Sequence, residues 1–173
     1  NGKFRKPQKL FDGAYHGGIS EDDKLAVTGS QLLRARISGK EKVWYNKEQA
    51  CNVSFATDGT KRTAFLDFGG KTGKAFVGTS YAIHQRILIA DSNGKLIQTI
   101  EAPSGYTFDH SEWTLNGNQA LIVATLTNVN GAHTKIVLVN PADSSVTELA
   151  ESDELWHPFL WVKKKNSTPP PAP

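Results

Sequence analysis

The chain has 173 residues, 38% of them hydrophobic and 21% charged, and carries a formal net charge of +3. This is enough chain to bury a real core, since a domain of about 150 residues hides roughly 70% of the surface its unfolded chain exposes. No apolar run approaches the ~20 residues of a membrane helix, so no membrane insertion is expected. Cys51 stands alone, so no intrachain disulfide can form. The basic excess gathers at the ends, at Lys3, Arg5, Lys6 and Lys9 and again at Lys163, Lys164 and Lys165. Basic ends of this kind read as solvated tails, and no nucleic-acid partner is expected.

Three regions follow: a basic N-terminal segment (1–13), a strand-rich body (14–162) and a Pro-rich tail (163–173). In the body, residues 25–29 form an apolar run after the turn 21–24. Residues 32–37 alternate apolar positions with Arg34 and Arg36, as a half-buried strand does. Residues 43–46 are short and β-favouring, and residues 46–51 have room for one helical turn at most. Asp58-Gly59 marks a turn before a strand over 62–68. Residues 69–85 read as a long insertion in the form of a flexible basic loop. Residues 86–90 and 96–100 flank Asp91-Ser92-Asn93-Gly94 and predict a hairpin. Strands over 121–127, 135–139 and 145–149 repeat that arrangement. In the tail, residues 166–173 are rich in proline and resemble a stiff interdomain linker, which suggests an extracytoplasmic modular protein.

A phrase recurs along the body. His16-Gly17-Gly18-Ile19-Ser20 precedes Asp22-Asp23-Lys24, Ala50-Cys51-Asn52-Val53-Ser54 precedes Asp58-Gly59, and His110-Ser111-Glu112-Trp113-Thr114 precedes Asn116-Gly117. A fourth start is His157-Pro158-Phe159-Leu160-Trp161. Repeats of about 40–50 residues with four strands each are the spacing of propeller blades. The phrase, with Ile87-Leu88-Ile89-Ala90-Asp91-Ser92-Asn93-Gly94 and its weaker copy at 137–144, resembles the TolB-like (WD40-like) β-propeller repeat. The wording at 48–52 and 154–158 is also similar to a family of large paralogous lipoproteins from fibrobacteria, whose role is unknown. The resemblance implies an all-β, propeller-like chain of about three four-stranded blades plus part of a fourth. A β-sandwich of about twelve strands is the alternative. The strand begun at 157–162 is expected to close onto the first blade. A homodimer, or further blades outside the chain, would close the ring instead.

Little enzymatic chemistry is legible. Gly69-Gly70-Lys71-Thr72-Gly73-Lys74 misses the phosphate-loop pattern, with Phe68 where its first glycine belongs and Ala75 after the lysine. No Gly-x-Ser-x-Gly elbow occurs. Cys51 reads as a packed thiol. His16, His110 and His157 hold equivalent repeat positions near a central channel, where with Trp113 they are assigned a structural role between blades. No metal or other cofactor is assigned. Lys71, Lys74, Tyr81, His84 and Tyr106 are the candidate binding residues, because loops longer than about 12–15 residues are usually functional or disordered. Trp44, Tyr45, Tyr81, Tyr106 and Trp156 offer flat faces on which a sugar could stack. The expected function is a non-catalytic binding or scaffold module of an extracytoplasmic bacterial protein, its ligand a protein or glycan. Carbohydrate binding in a secreted multidomain enzyme is the alternative.

Overall fold

The computed structural model describes residues 6–10, 12–13 and 16–162. The tail over 163–173 lies outside the described residues. The body is all-β, built of three antiparallel four-stranded sheets. The first contains β1 (His16–Ile19), β2 (Leu25–Gly29), β3 (Arg34–Ile37) and β4 (Lys40–Val43). The second contains β5 (Ala50–Phe55), β6 (Thr63–Asp67), β7 (Arg86–Ala90) and β8 (Leu96–Glu101). The third contains β9 (Tyr106–Asn116), β10 (Gln119–Asn128), β11 (His133–Asn140) and β12 (Ser145–Glu151). Each sheet is a meander in which neighbours in sequence are neighbours in space.

Sequence pattern explains the layering. The second sheet is central and buried on both faces, so β6 and β7 read as continuous apolar runs rather than alternations. Phe65, Leu88, Ala90 and Leu96 face the first sheet and join Leu25, Val27, Leu33 and Ala35 in one core. Ala64, Leu66, Ile87, Ile89 and Ile100 face the other way, onto Phe108, Ile122, Leu126, Val137 and Val139. The predicted hairpin between β7 and β8 is present. Gly94 N–H donates to the Asp91 carbonyl at 3.0 Å, and the Asp91 carboxylate accepts from the N–H groups of Asn93 and Lys95 at 2.8 and 3.0 Å. Gly94 has φ +85° and lies against the Trp44 ring, so a side chain there would meet both strain and a clash.

The insertion differs from its expected form. Residues 71–77 form a short helix, α1 (Lys71–Val77), rather than a flexible loop. Tertiary contacts hold it. Glu48 accepts the Thr72 N–H at 3.1 Å, and buried Gly73 sits directly over the hydroxyls of Tyr45 and Tyr81 and the carboxylate of Asp67. Near-neutral replacement of 71–74 by a Gly-Ser turn is therefore not expected. Gly73→Ala would drive its methyl into the Tyr81 hydroxyl, and overpacking of that kind costs about 1–3 kcal/mol. Urea unfolding should show the midpoint fall accordingly, whereas an unchanged midpoint would mean that the helix does not seat there.

The fourth repeat start also differs from expectation. Among the described residues, 152–162 form no strand and do not extend the first sheet. The segment instead runs along the third. Ser152 N–H donates to the Thr134 carbonyl at 3.0 Å, Leu155 N–H to the His133 carbonyl at 2.7 Å, and Thr114 Oγ1 to the Leu160 carbonyl at 3.1 Å.

Candidate functional site at the convergent strand starts

The first strands of the three sheets, β1, β5 and β9, pack side by side, β5 between the other two. Two of them carry the same irregularity. In β5, Asn52 and Val53 together oppose Phe65; in β9, His110 and Ser111 together oppose Ala124. These are β-bulges, which re-aim side chains. The leading residue of each has φ +47°, and His157 has φ +45°. This left-handed region is tolerated best, outside glycine, by Asn, Asp and His.

The bulges correct the repeat alignment. Asn52, not Ala50, is the equivalent of His110. The distance to the following turn confirms it, since Asn52 precedes Gly59, and His110 precedes Gly117, by the same seven residues. Asp23, seven residues after His16, likewise has positive φ, as do Gly59 and Gly117. Gly18, the least conforming residue of the first repeat, lies against the Phe55 side chain and leaves no room for a Cβ.

A polar network ties these strands together. Asn52 Nδ2 donates to Asp109 Oδ1 at 2.8 Å, and the same oxygen accepts the His110 N–H at 2.9 Å. Asp109 Oδ2 lies 2.9 Å from His133 Nε2, and His133 Nδ1 lies 2.8 Å from Glu154 Oε1. His16 Nδ1 is 3.6 Å from Glu112 Oε1. The His110 and His157 rings are 3.9 Å apart, His16 stacks on His157 at 6.3 Å, and Trp156 covers His133 at 3.7 Å. His16, His110 and His157, singled out by the repeat, thus come together. With Glu112, Pro158 and Phe159 they line an open pocket of about 360 Å³.

Electrostatics follow from burial and this network. Burial pushes the Asp109 carboxyl up, but His133, His110 and Asn52 together outweigh it and hold the pKa below the ordinary value. Burial lowers the His110 pKa, Asp109 opposes that, and the neighbouring imidazoles lower it further.

The remaining candidates scatter. Lys71 is exposed on α1 and Lys74 is half-buried on the same helix. Tyr81 is buried, its hydroxyl donating to Asp67 at 2.7 Å, so its ring offers no stacking face; Trp44 and Tyr45 are buried too. Tyr106 is half-buried, with the Lys135 ammonium 5.7 Å from its ring. Trp113 is half-buried at the edge of the second core, under the Arg62 guanidinium at 4.8 Å, rather than enclosed between sheets.

His84 lies against Phe68, its Nε2 3.2 Å from Cys51 Sγ. A reactive thiol needs a lowered pKa. Burial, reinforced by the charges of Asp109 and Asp67, pushes Cys51 up to about 12, and burial lowers His84. The pair is therefore a neutral thiol beside a neutral imidazole. Native protein at pH 8 should react with a thiol-specific disulfide reagent far more slowly than denatured protein. Equal rates would contradict this environment.

Asp109, His133 and Glu154 escaped sequence reasoning. Asp109 directly precedes a repeat-start histidine and Glu154 opens the phrase at 154–158, but neither position signalled its role; His133 belongs to no motif. Compared with known proteins, the chain matches no family model, and no curated protein is significantly similar to it. No helix among the described residues is long and apolar enough to cross a membrane.

Proposed function

We propose that the chain is a non-catalytic binding module of propeller-like architecture, and that its ligand site is the pocket at the convergent strand starts. Face-to-face layering of three sheets alone fits a sandwich equally well. The propeller reading is supported by the first strands β1, β5 and β9 lying side by side, by matching bulges in β5 and β9, and by three repeat-start histidines at one opening. Propellers present ligands to such openings, although a fold alone does not fix the ligand. The extracytoplasmic bacterial setting rests on the Pro-rich tail and the TolB-like resemblance.

The observation that carries the site is the pocket's rim. Phe159 lines the pocket and is 81% exposed, and Trp156, 54% exposed, meets His110 of the lining edge-on at 5.3 Å, an unusual pair of large apolar side chains to leave in water. A photo-crosslinking residue in place of Phe159 should trap a ligand that the same residue in place of Leu149, exposed on β12, does not. Equal labelling at both positions, or none at 159, would overturn the reading. The exposed indoles of Trp156 and Trp161 favour glycan as the second reading. Glycan-array binding lost in Trp156→Ala would support it, and a blank array would exclude it.

A further inference from the structure

Beside the pocket, and sharing His110 with it, three side chains bring possible ligand atoms together. Asp109, His110 and His133 each present a ligand atom, all within 4.8 Å of one another. Asp109 Oδ2 is 2.9 Å from His133 Nε2 and 3.3 Å from His110 Nδ1. A tetrahedral zinc site with ligand bonds of about 2.0–2.1 Å sets neighbouring ligand atoms about 3.3 Å apart. We propose that Asp109, His110 and His133 form a binding site for a divalent late transition-metal ion of the zinc class.

Two features beyond proximity point to a cation. His110 Nδ1 is buried and makes no hydrogen bond, although Asp109 lies beside it. His133 stands between two carboxylates, Glu154 on Nδ1 and Asp109 on Nε2. A neutral imidazole has one N–H, so one of these contacts would set a lone pair against a carboxylate. A proton on His133 relieves that contact but leaves His110 Nδ1 unsatisfied. A metal ion satisfies all three atoms at once.

The surrounding groups complete such a site. Glu154 accepting from His133 Nδ1 is the carboxylate–histidine–metal arrangement that fixes the tautomer and raises ligand basicity. Asn52 and the His110 N–H hold the other Asp109 oxygen, leaving Oδ2 for the ion. Two imidazoles and one carboxylate suit zinc and its neighbours, whereas calcium and magnesium demand oxygen ligands. The fourth position falls to water or to His157, whose ring adjoins that of His110.

This goes beyond the binding reading above, and either can fail alone, because pocket labelling is measured on metal-free chain. The test is titration of chelator-stripped full chain with Co²⁺ and then Zn²⁺. One Co²⁺ per chain should bind with the visible absorption of tetrahedral coordination, be displaced by Zn²⁺ and be indifferent to excess Mg²⁺. Asp109→Asn and His133→Gln should each weaken binding at least tenfold, and Glu148→Gln, on the exposed strand β12, should not. Glu154→Gln, at a half-exposed side chain outside the coordination sphere, should weaken it by about 10–100-fold. It also decides the matter should the other two variants fail to fold. No uptake by folded wild type, or affinity unchanged in Glu154→Gln, would overturn the proposal.

Discussion

Asp67→Ala is expected to be among the most damaging single substitutions in the chain. Asp67 is fully buried at the end of β6, and its Oδ2 accepts from the hydroxyls of Tyr45 and Tyr81 and from the Gly70 N–H. Truncation would strand two tyrosine hydroxyls and a helix-entry amide. Each buried donor left unpaired costs about 1–3 kcal/mol, so a loss of roughly 2–6 kcal/mol is expected from the hydroxyls alone. The same cluster sets an alkaline limit on stability. Burial, with the Asp67 charge behind it, raises the pKa of both tyrosines well above the ordinary value. Above about pH 10 the unfolded chain releases these protons while the folded chain keeps them, so stability falls as pH rises. An ultraviolet titration should show Tyr45 and Tyr81 ionising only as the protein unfolds. Ionisation of both near pH 10 in folded protein would contradict the cluster.

Phe65→Ala should cost about 3–5 kcal/mol, the range for a buried aromatic emptied from a core. Phe65 is fully buried, pairs with Leu88 across β6 and β7, and meets Tyr45 edge-on at 5.0 Å. It also faces the β5 bulge and belongs to the core between the first two sheets. At about 2–4 °C per kcal/mol for a chain of this size, the melting temperature should fall by roughly 6–20 °C. A fall of only a degree or two would mean that those sheets do not meet at Phe65.

Local chemistry made much of the fold legible. Asn93-Gly94 set the β7–β8 hairpin, and the unbroken apolar runs of β6 and β7 follow from burial on both faces. Helix α1 was not legible because nothing local makes it. It is seven residues long, has two glycines at or near its start, lacks a side-chain cap, and is held by Glu48, Tyr45 and Asp67 from elsewhere in the chain. The site was half legible. The repeat named His16, His110 and His157, and the structure gathers them. The second repeat is in register at Asn52 rather than Ala50, because its bulge and the seven-residue distance to Gly59 match those of His110 and Gly117. Asp109, His133 and Glu154 meet only because β9, β11 and the segment after β12 share one end of the third sheet, a proximity no spacing in sequence encodes.

The convergence of the repeat starts is the centre of this account, and contacts between imidazole protons test it most directly. In a nuclear Overhauser spectrum of the folded chain, His157 ring protons should show a strong cross-peak to those of His110 and a weaker one to those of His16, matching ring separations of 3.9 and 6.3 Å. Absence of both cross-peaks, with His157 as narrow and mobile as a tail residue, would contradict it.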